Sequence, residues 1–160
     1  MFGKGDLLSV ASLEFSPDGR SLVSGSLDGI IRIWNIRDGS SKQILVTIGY
    51  TDLRVAFSPT GRHVSAGTGE GVLCIVDVRT QRQVKSWEGH QNDVSSLAFV
   101  PNGKGILSSS FDGTVKYWDV EDIFCTRAIV KNSVPLIRQF GGYPVRFWCL
   151  RFLARLIPLL

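Results

Sequence analysis

Three stretches of this chain repeat one another at a constant spacing of 42 residues. Phe15-Ser16-Pro17-Asp18-Gly19 returns as Phe57-Ser58-Pro59-Thr60-Gly61 and again as Phe99-Val100-Pro101-Asn102-Gly103. The pair Asp28-Gly29 returns as Glu70-Gly71 and Asp112-Gly113, and Trp34-Asn35 as Val76-Asp77 and Trp118-Asp119. A period in the low forties marks stacked supersecondary units. Arrays of such units usually present binding surfaces.

The third unit shows what one repeat is built from. Val94 to Phe99 reads as a strand, and Pro101-Asn102-Gly103 as a turn, because Pro fixes its own φ and Asn-Gly tolerates positive φ. Gly105 to Ser110 is a second strand. Asp112-Gly113 is a tight hairpin signal, and Thr114 to Val120 is a third strand. A fourth strand follows each unit, near Gln43–Ile48, Gln83–Trp87 and Cys125–Ile129. Four antiparallel strands per unit make a propeller blade. The expected fold is therefore all-β, with about three four-stranded blades forming an incomplete propeller arc. The repeats span residues 5–130, divided near 5–48, 49–88 and 89–130, and a divergent tail occupies 131–160.

Charge is informative through its location. The chain carries 18 basic and 14 acidic residues. Residues 1–120 hold twelve of each, so the excess lies in the tail, and charge gives no support for a nucleic-acid face on the repeats. Cys74, Cys125 and Cys149 are dispersed and there are two His, so no zinc site and no cofactor are expected. Free thiols suit a reducing compartment. No signal peptide is visible at the N-terminus, and no apolar run reaches the length of a membrane span.

Gly89-His90, the Ser-Pro-Asp-Gly turn, the segment Ser24–Gly29 and the closing Ile31–Asn35 and Val115–Asp119 together resemble WD40 repeats, over about residues 5–120. The resemblance implies a buried relay in each blade: a His opening the unit, the Asp of the tight turn, a Ser on the second strand and the Trp. Carried over by position, the third blade has His90, Ser108, Asp112 and Trp118. The first keeps Ser24, Asp28 and Trp34, but Asp6 stands at the His position, so two carboxylates are expected to repel and this end to fray. The second has Ala66, Glu70 and Val76, with its opener at Gly49-Tyr50, or at Thr47-Ile48 by strict count. Joint loss of the polar members reads as a repacked blade, because a half-satisfied network costs more than an apolar one.

A Ser, a His and an Asp also suggest a hydrolase triad. Their fixed places in the repeat and the lack of a nucleophile elbow argue for structure instead. Gly67, Gly69 and Gly71 lack the Lys-Ser/Thr ending and helix of a phosphate loop. The chain is thus expected to be a non-catalytic protein-interaction scaffold. Leu27, Gly69 and Phe111, just before the turn acids, are expected to face out, and an exposed Phe is a plausible anchor. Tyr50, Asp52, Asn92 and Asp93 near the openers are further partner-binding candidates.

The wording is most similar to the Tup-type fungal transcriptional corepressors. That resemblance implies a nuclear repressor function and DNA-bound repressor proteins as partners. Trp34-Asn35-Ile36-Arg37 and Val76-Asp77-Val78-Arg79 also resemble the WDxR box of cullin ubiquitin-ligase substrate receptors, each with one departure. Three blades do not close a ring of about four to eight, so self-association through open blade edges is expected. Residues 121–160 lack the repeat signals, as a truncated paralogue, a frameshift or a retained intron would produce. Phe147–Leu160 alternatively reads as an amphipathic cap.

Overall fold

The computed structural model describes residues 9–45, 52–120 and 126–131, with residues 45 and 126–131 given by their backbone alone. The described strands form three four-stranded antiparallel sheets. The first holds β1 (Val10–Phe15), β2 (Ser21–Ser26), β3 (Ile30–Asn35) and β4 (Ser41–Leu45). The second holds β5 (Arg54–Phe57), β6 (His63–Gly67), β7 (Val72–Asp77) and β8 (Arg82–Glu88). The third holds β9 (Val94–Phe99), β10 (Gly105–Ser110), β11 (Thr114–Asp119) and β12 (Thr126–Lys131). Within each sheet the strands pair in sequence order, as expected of a propeller blade. Among the described residues no helix is long and apolar enough to cross a membrane.

The first turn of each unit ends its strand by local hydrogen bonding. Asp18 Oδ1 accepts the Ser16 hydroxyl at 2.6 Å and the Arg20 N–H at 3.0 Å. Asn102 Oδ1 accepts the Lys104 N–H at 2.9 Å. Such side-chain acceptors stand in for a ladder partner and stop the strand. The fourth strand of the first sheet begins earlier than the sequence suggests, at Ser41 instead of Gln43. Asn35 Oδ1 caps Arg37 N–H and Asp38 Oδ1 caps Ser40 N–H, which tightens the bend so that Trp34 already pairs with Ser41. The last strand starts at Thr126, one residue beyond its expected start, and runs on to Lys131.

Cross-strand rows explain where the core sits. Phe57, Val64 and Val76 stand opposite one another on β5, β6 and β7. Phe99, Ile106 and Trp118 do so on β9, β10 and β11. The first of these rows packs with Val23, Ile31, Ile33 and Ile44 of the first sheet. The second packs with Ala56, Leu73 and Ile75 of the second sheet. The core is therefore a set of seams between blades. Gly25 and Gly67, equivalent in the repeat, mark two close approaches between blades. A Cβ on Gly25 would meet the Leu53 carbonyl at 2.5 Å, and one on Gly67 would meet Val94 Cγ1 at the same distance.

Polar straps cross the first seam as well. Arg54 Nη1 donates to the Ala11 carbonyl at 2.6 Å, and Phe57 N–H donates to Glu14 Oε2 at 2.8 Å. The row Phe15, Leu22 and Trp34 on β1, β2 and β3 is aligned in the same way. In this row, however, Phe15 is 63% exposed, against 6% for Phe57 and 9% for Phe99.

Candidate functional site

The third blade brings its four relay residues together. His90 precedes β9, Ser108 lies on β10, Asp112 in the β10–β11 turn and Trp118 on β11. His90 Nδ1 lies 3.0 Å from Asp112 Oδ2, and Nε2 lies 2.7 Å from Ser108 Oγ. Trp118 Nε1–H donates to the same Ser108 oxygen at 2.8 Å. One proton assignment satisfies every member: indole to serine, serine hydroxyl to Nε2, and Nδ1–H to the carboxylate.

Thr114 completes this network and was not singled out by the repeat pattern. Its hydroxyl donates to Asp112 Oδ1 at 2.6 Å and sits 3.0 Å from His90 Nδ1. Burial opposes ionisation of Asp112. Donors from the Thr114 hydroxyl, the N–H groups of Gln91 and Thr114 and the His90 ring overcome it and hold the carboxyl well below its usual range. Burial also lowers His90, outweighing the upward pull of Asp112, and nearby Lys116 adds to the lowering. The imidazole is therefore neutral at pH 7.

This geometry opposes a hydrolase reading. The Ser108 hydroxyl is committed between a ring nitrogen and an indole, and the residue is fully buried, whereas a nucleophile must meet substrate. Trp118 is wedged among Trp87 at 5.6 Å, His90 at 6.1 Å and the Lys116 ammonium.

The first blade solves the same problem with a cation in place of the neutral imidazole. Trp34 Nε1–H donates to Ser24 Oγ at 2.9 Å. Asp28 is paired with Arg32, Nη2 to Oδ2 at 2.9 Å, and these side chains are only 5% and 1% exposed. Asp6 lies outside the described residues, so the expected repulsion with Asp28 rests on no observed contact. Arg32 was legible in one respect: alternation along Ile31–Asn35 puts it on the same side of β3 as Trp34.

The second blade replaces the relay by packing. Ala66 and Val76 are fully buried, beside Cys74 and Val64. Burial pushes the Cys74 thiol up to about 12, so it is inert. In the other blades the turn Asp caps the first N–H of the third strand, Ile30 or Thr114. Here Glu70 is exposed, and Thr68 Oγ1 accepts the equivalent Val72 N–H at 3.1 Å.

The rim candidates divide into anchors and clamps. Phe111 is 54% and Leu27 36% exposed; Gly69 is half-buried. Asp52 is engaged, bonding Arg54 at 2.8 Å and so holding the strap to Ala11. The Asn92 carbonyl accepts the Ser110 hydroxyl, and the Asp93 carbonyl accepts the Phe111 N–H. The opener also donates from His90 N–H to Gly71 of the previous blade, so residues 89–93 tie two blades together at the Phe111 turn. Tyr50 lies outside the described residues.

Successive four-stranded blades, the third of them tied by a His–Ser–Trp–Asp relay, define a propeller-repeat chain. The model of the WD domain, G-beta repeat, matches residues 3–35 and 81–119, and the chain carries WD40 repeats folded as propeller blades. The unmatched stretch between contains β5, β6 and β7 of the blade whose relay is replaced. The U3 small nucleolar RNA-associated protein 21 homolog of Schizosaccharomyces pombe is 29% identical over 63% of this chain and 11% of that protein. The Target of rapamycin complex subunit wat1 of the same organism is 34% identical over 62% of this chain and 32% of that protein. The crystal structure of the RRP9 WD40 repeats superposes with a TM-score of 0.69 at 25% identity, covering 75% of this chain and 38% of that one. The chain thus spans about a third or less of these two curated relatives. Neither carries a corepressor or cullin-receptor name, so those finer readings of the resemblance gain no support from them.

Replacing Ser108 by Ala orphans the Trp118 indole N–H and His90 Nε2, and is expected to cost about 2–3 kcal/mol, read as a lowered urea midpoint. Acid should destabilise the fold in two steps. His90 is lowered in the folded state, so its contribution is complete above about pH 6.5 and declines as the unfolded chain takes up a proton below that value. His63 is lowered mainly by burial and adds to this step. Asp112 is lowered too, so its contribution disappears only below about pH 4. Urea midpoints measured from pH 8 to pH 3 check the sign, and His90→Gln should flatten the upper step.

Proposed function

We propose that the chain is a non-catalytic interaction module that holds protein partners within a larger assembly. Its docking rim is formed by the second-to-third-strand turns and the blade openers. The observation that carries this reading is Phe111: a large apolar side chain 54% exposed on a turn fixed by the Ser110–Asn92 and Phe111–Asp93 hydrogen bonds. Ordering such an anchor before binding lowers the entropy lost on docking. Leu27 offers a second apolar contact at the same edge of the first blade. The names of the relatives, a U3 small nucleolar RNA-associated protein and a Target of rapamycin complex subunit, support assembly within an intracellular multi-component particle.

Affinity purification followed by mass spectrometry tests this reading. Leu27→Ser with Phe111→Ala should remove specific co-purifying proteins at least tenfold, with thermal melting unchanged. Retention of the full partner set by that double variant overturns the assignment of the rim.

The exposed Phe15, with Leu13 at 56%, supports self-association through the outer face of the first blade. Light scattering of the purified chain is expected to show oligomers that Leu13→Lys with Phe15→Glu returns to monomer. A monodisperse monomer of the unaltered chain contradicts it.

A further inference from the structure

At the opposite strand ends from Phe111, the first blade has an open cleft of about 590 Å³ lined by Gly19, Arg20, Ser21, Asn35, Ile36 and Arg37. We propose that this cleft binds an oxyanion, a carboxylate or a phosphoryl group, carried on an aliphatic segment of a protein partner.

The polar side chains of the lining are donors. Arg20 and Arg37 contribute two guanidinium groups, whose forked geometry suits bidentate pairing with either anion. Asn35 uses its carbonyl to cap the Arg37 N–H, which leaves its amide NH2 as donor. Ser21 adds a hydroxyl. Among the described residues no carboxylate lines the cleft. The two nearest in sequence are held in their own turns: Asp18 by the Ser16 hydroxyl and Arg20 N–H, Asp38 by the Ser40 hydroxyl and N–H.

The repeat supplies an internal comparison. Asn35, Asp77 and Asp119 occupy the same place, at the end of the third strand opposite Ser21, His63 and Gly105. In the second blade, Asp77 lies 3.4 Å from Arg62, the equivalent of Arg20. The Thr80 N–H, Thr80 hydroxyl and Arg62 hold Asp77 down to about 2, so it is ionised. In the third blade the same place is held by Asp119, opposite Gly105, the residue after Lys104. Only the first blade has an amide there, so it lacks the strand-end carboxylate that pairs with Arg62 in the second blade; the acid that attracts Arg20 is Asp18 of the neighbouring turn. Ile36, 49% exposed on the cleft wall, offers apolar contact to the residue next to the anion. Among the described residues the cleft has no aromatic platform, which favours a peptide over a single-stranded nucleic acid.

The test uses the full chain and fluorescein-labelled nonapeptides with a central Leu-Xaa-Leu, where Xaa is glutamate, phosphoserine or glutamine, read by anisotropy. At least one acidic peptide should bind at least tenfold more tightly than the glutamine peptide, and the tighter acid identifies the source of the anion. Asn35→Asp, which introduces the charge found in the other blades, should weaken that binding at least tenfold. Arg20→Ala and Arg37→Ala should do the same, while Phe111→Ala leaves it unchanged. Thermal melting verifies folding, and Arg37→Gln, at an exposed site, replaces any variant that unfolds. Equal binding of all three peptides, undiminished binding by Asn35→Asp, or loss on Phe111→Ala overturns the proposal.

Discussion

A four-stranded sheet has two faces and can shield neither by itself, so everything in this chain depends on the packing of one sheet against the next. Phe57, Val64 and Val76 become core because Ile31 and Ile33 of the preceding sheet lie on them. Phe99, Ile106 and Trp118 become core because Leu73 and Ile75 do. The contrast within the first sheet measures how much this matters. Phe15 holds the same place in its strand as Phe57 and Phe99 yet is 63% exposed. Each strand pattern is therefore only half of a core, and the other half comes from about 42 residues away.

Once the seams close, every polar group caught in them must find a partner, since an orphaned one costs about 1–3 kcal/mol. The three blades meet this constraint differently. The third uses a neutral His between Ser108 and Asp112. The first matches Asp28 with the buried Arg32 guanidinium. The second removes the demand by packing Ala66 and Val76 and lets Thr68 cap the turn in place of an acid. A shared backbone thus tolerates very different chemistry inside, with Ser24, Asp28, Ser108 and Asp112 each given a partner.

The same logic separates scaffold from surface. The Ser–His–Asp grouping is consumed by structure, and what remains for partners is the periphery. At one rim Phe111 projects from a turn stitched to the opener before it. At the other, Asn35 withholds the carboxylate that Asp77 presents to Arg62. A chain whose repeats are neutral in total still carries locally unbalanced charge, because balance over a hundred residues says nothing about balance within one cleft.

The sequence by itself determined the unit. Alternation, Asp-Gly and Pro-Asn-Gly turns and the constant period are local signals, and local hydrogen bonds such as Asp18 with Arg20 and Asn102 with Lys104 enforce them. The relay of His90, Ser108, Asp112 and Trp118 was implied by the resemblance to WD40 repeats and carried over by position in the period. The sequence misplaced the start of β4, since the Asn35 and Asp38 caps tighten the bend by competing locally for N–H groups. Only the tertiary structure decided which faces are covered, that Arg32 turns inward to Asp28, that Thr68 replaces Glu70 as the cap, and that Arg20, Asn35 and Arg37 share one cleft. Those outcomes depend on side chains meeting across strands and between sheets, where the period fixes backbone position but not the partner found there.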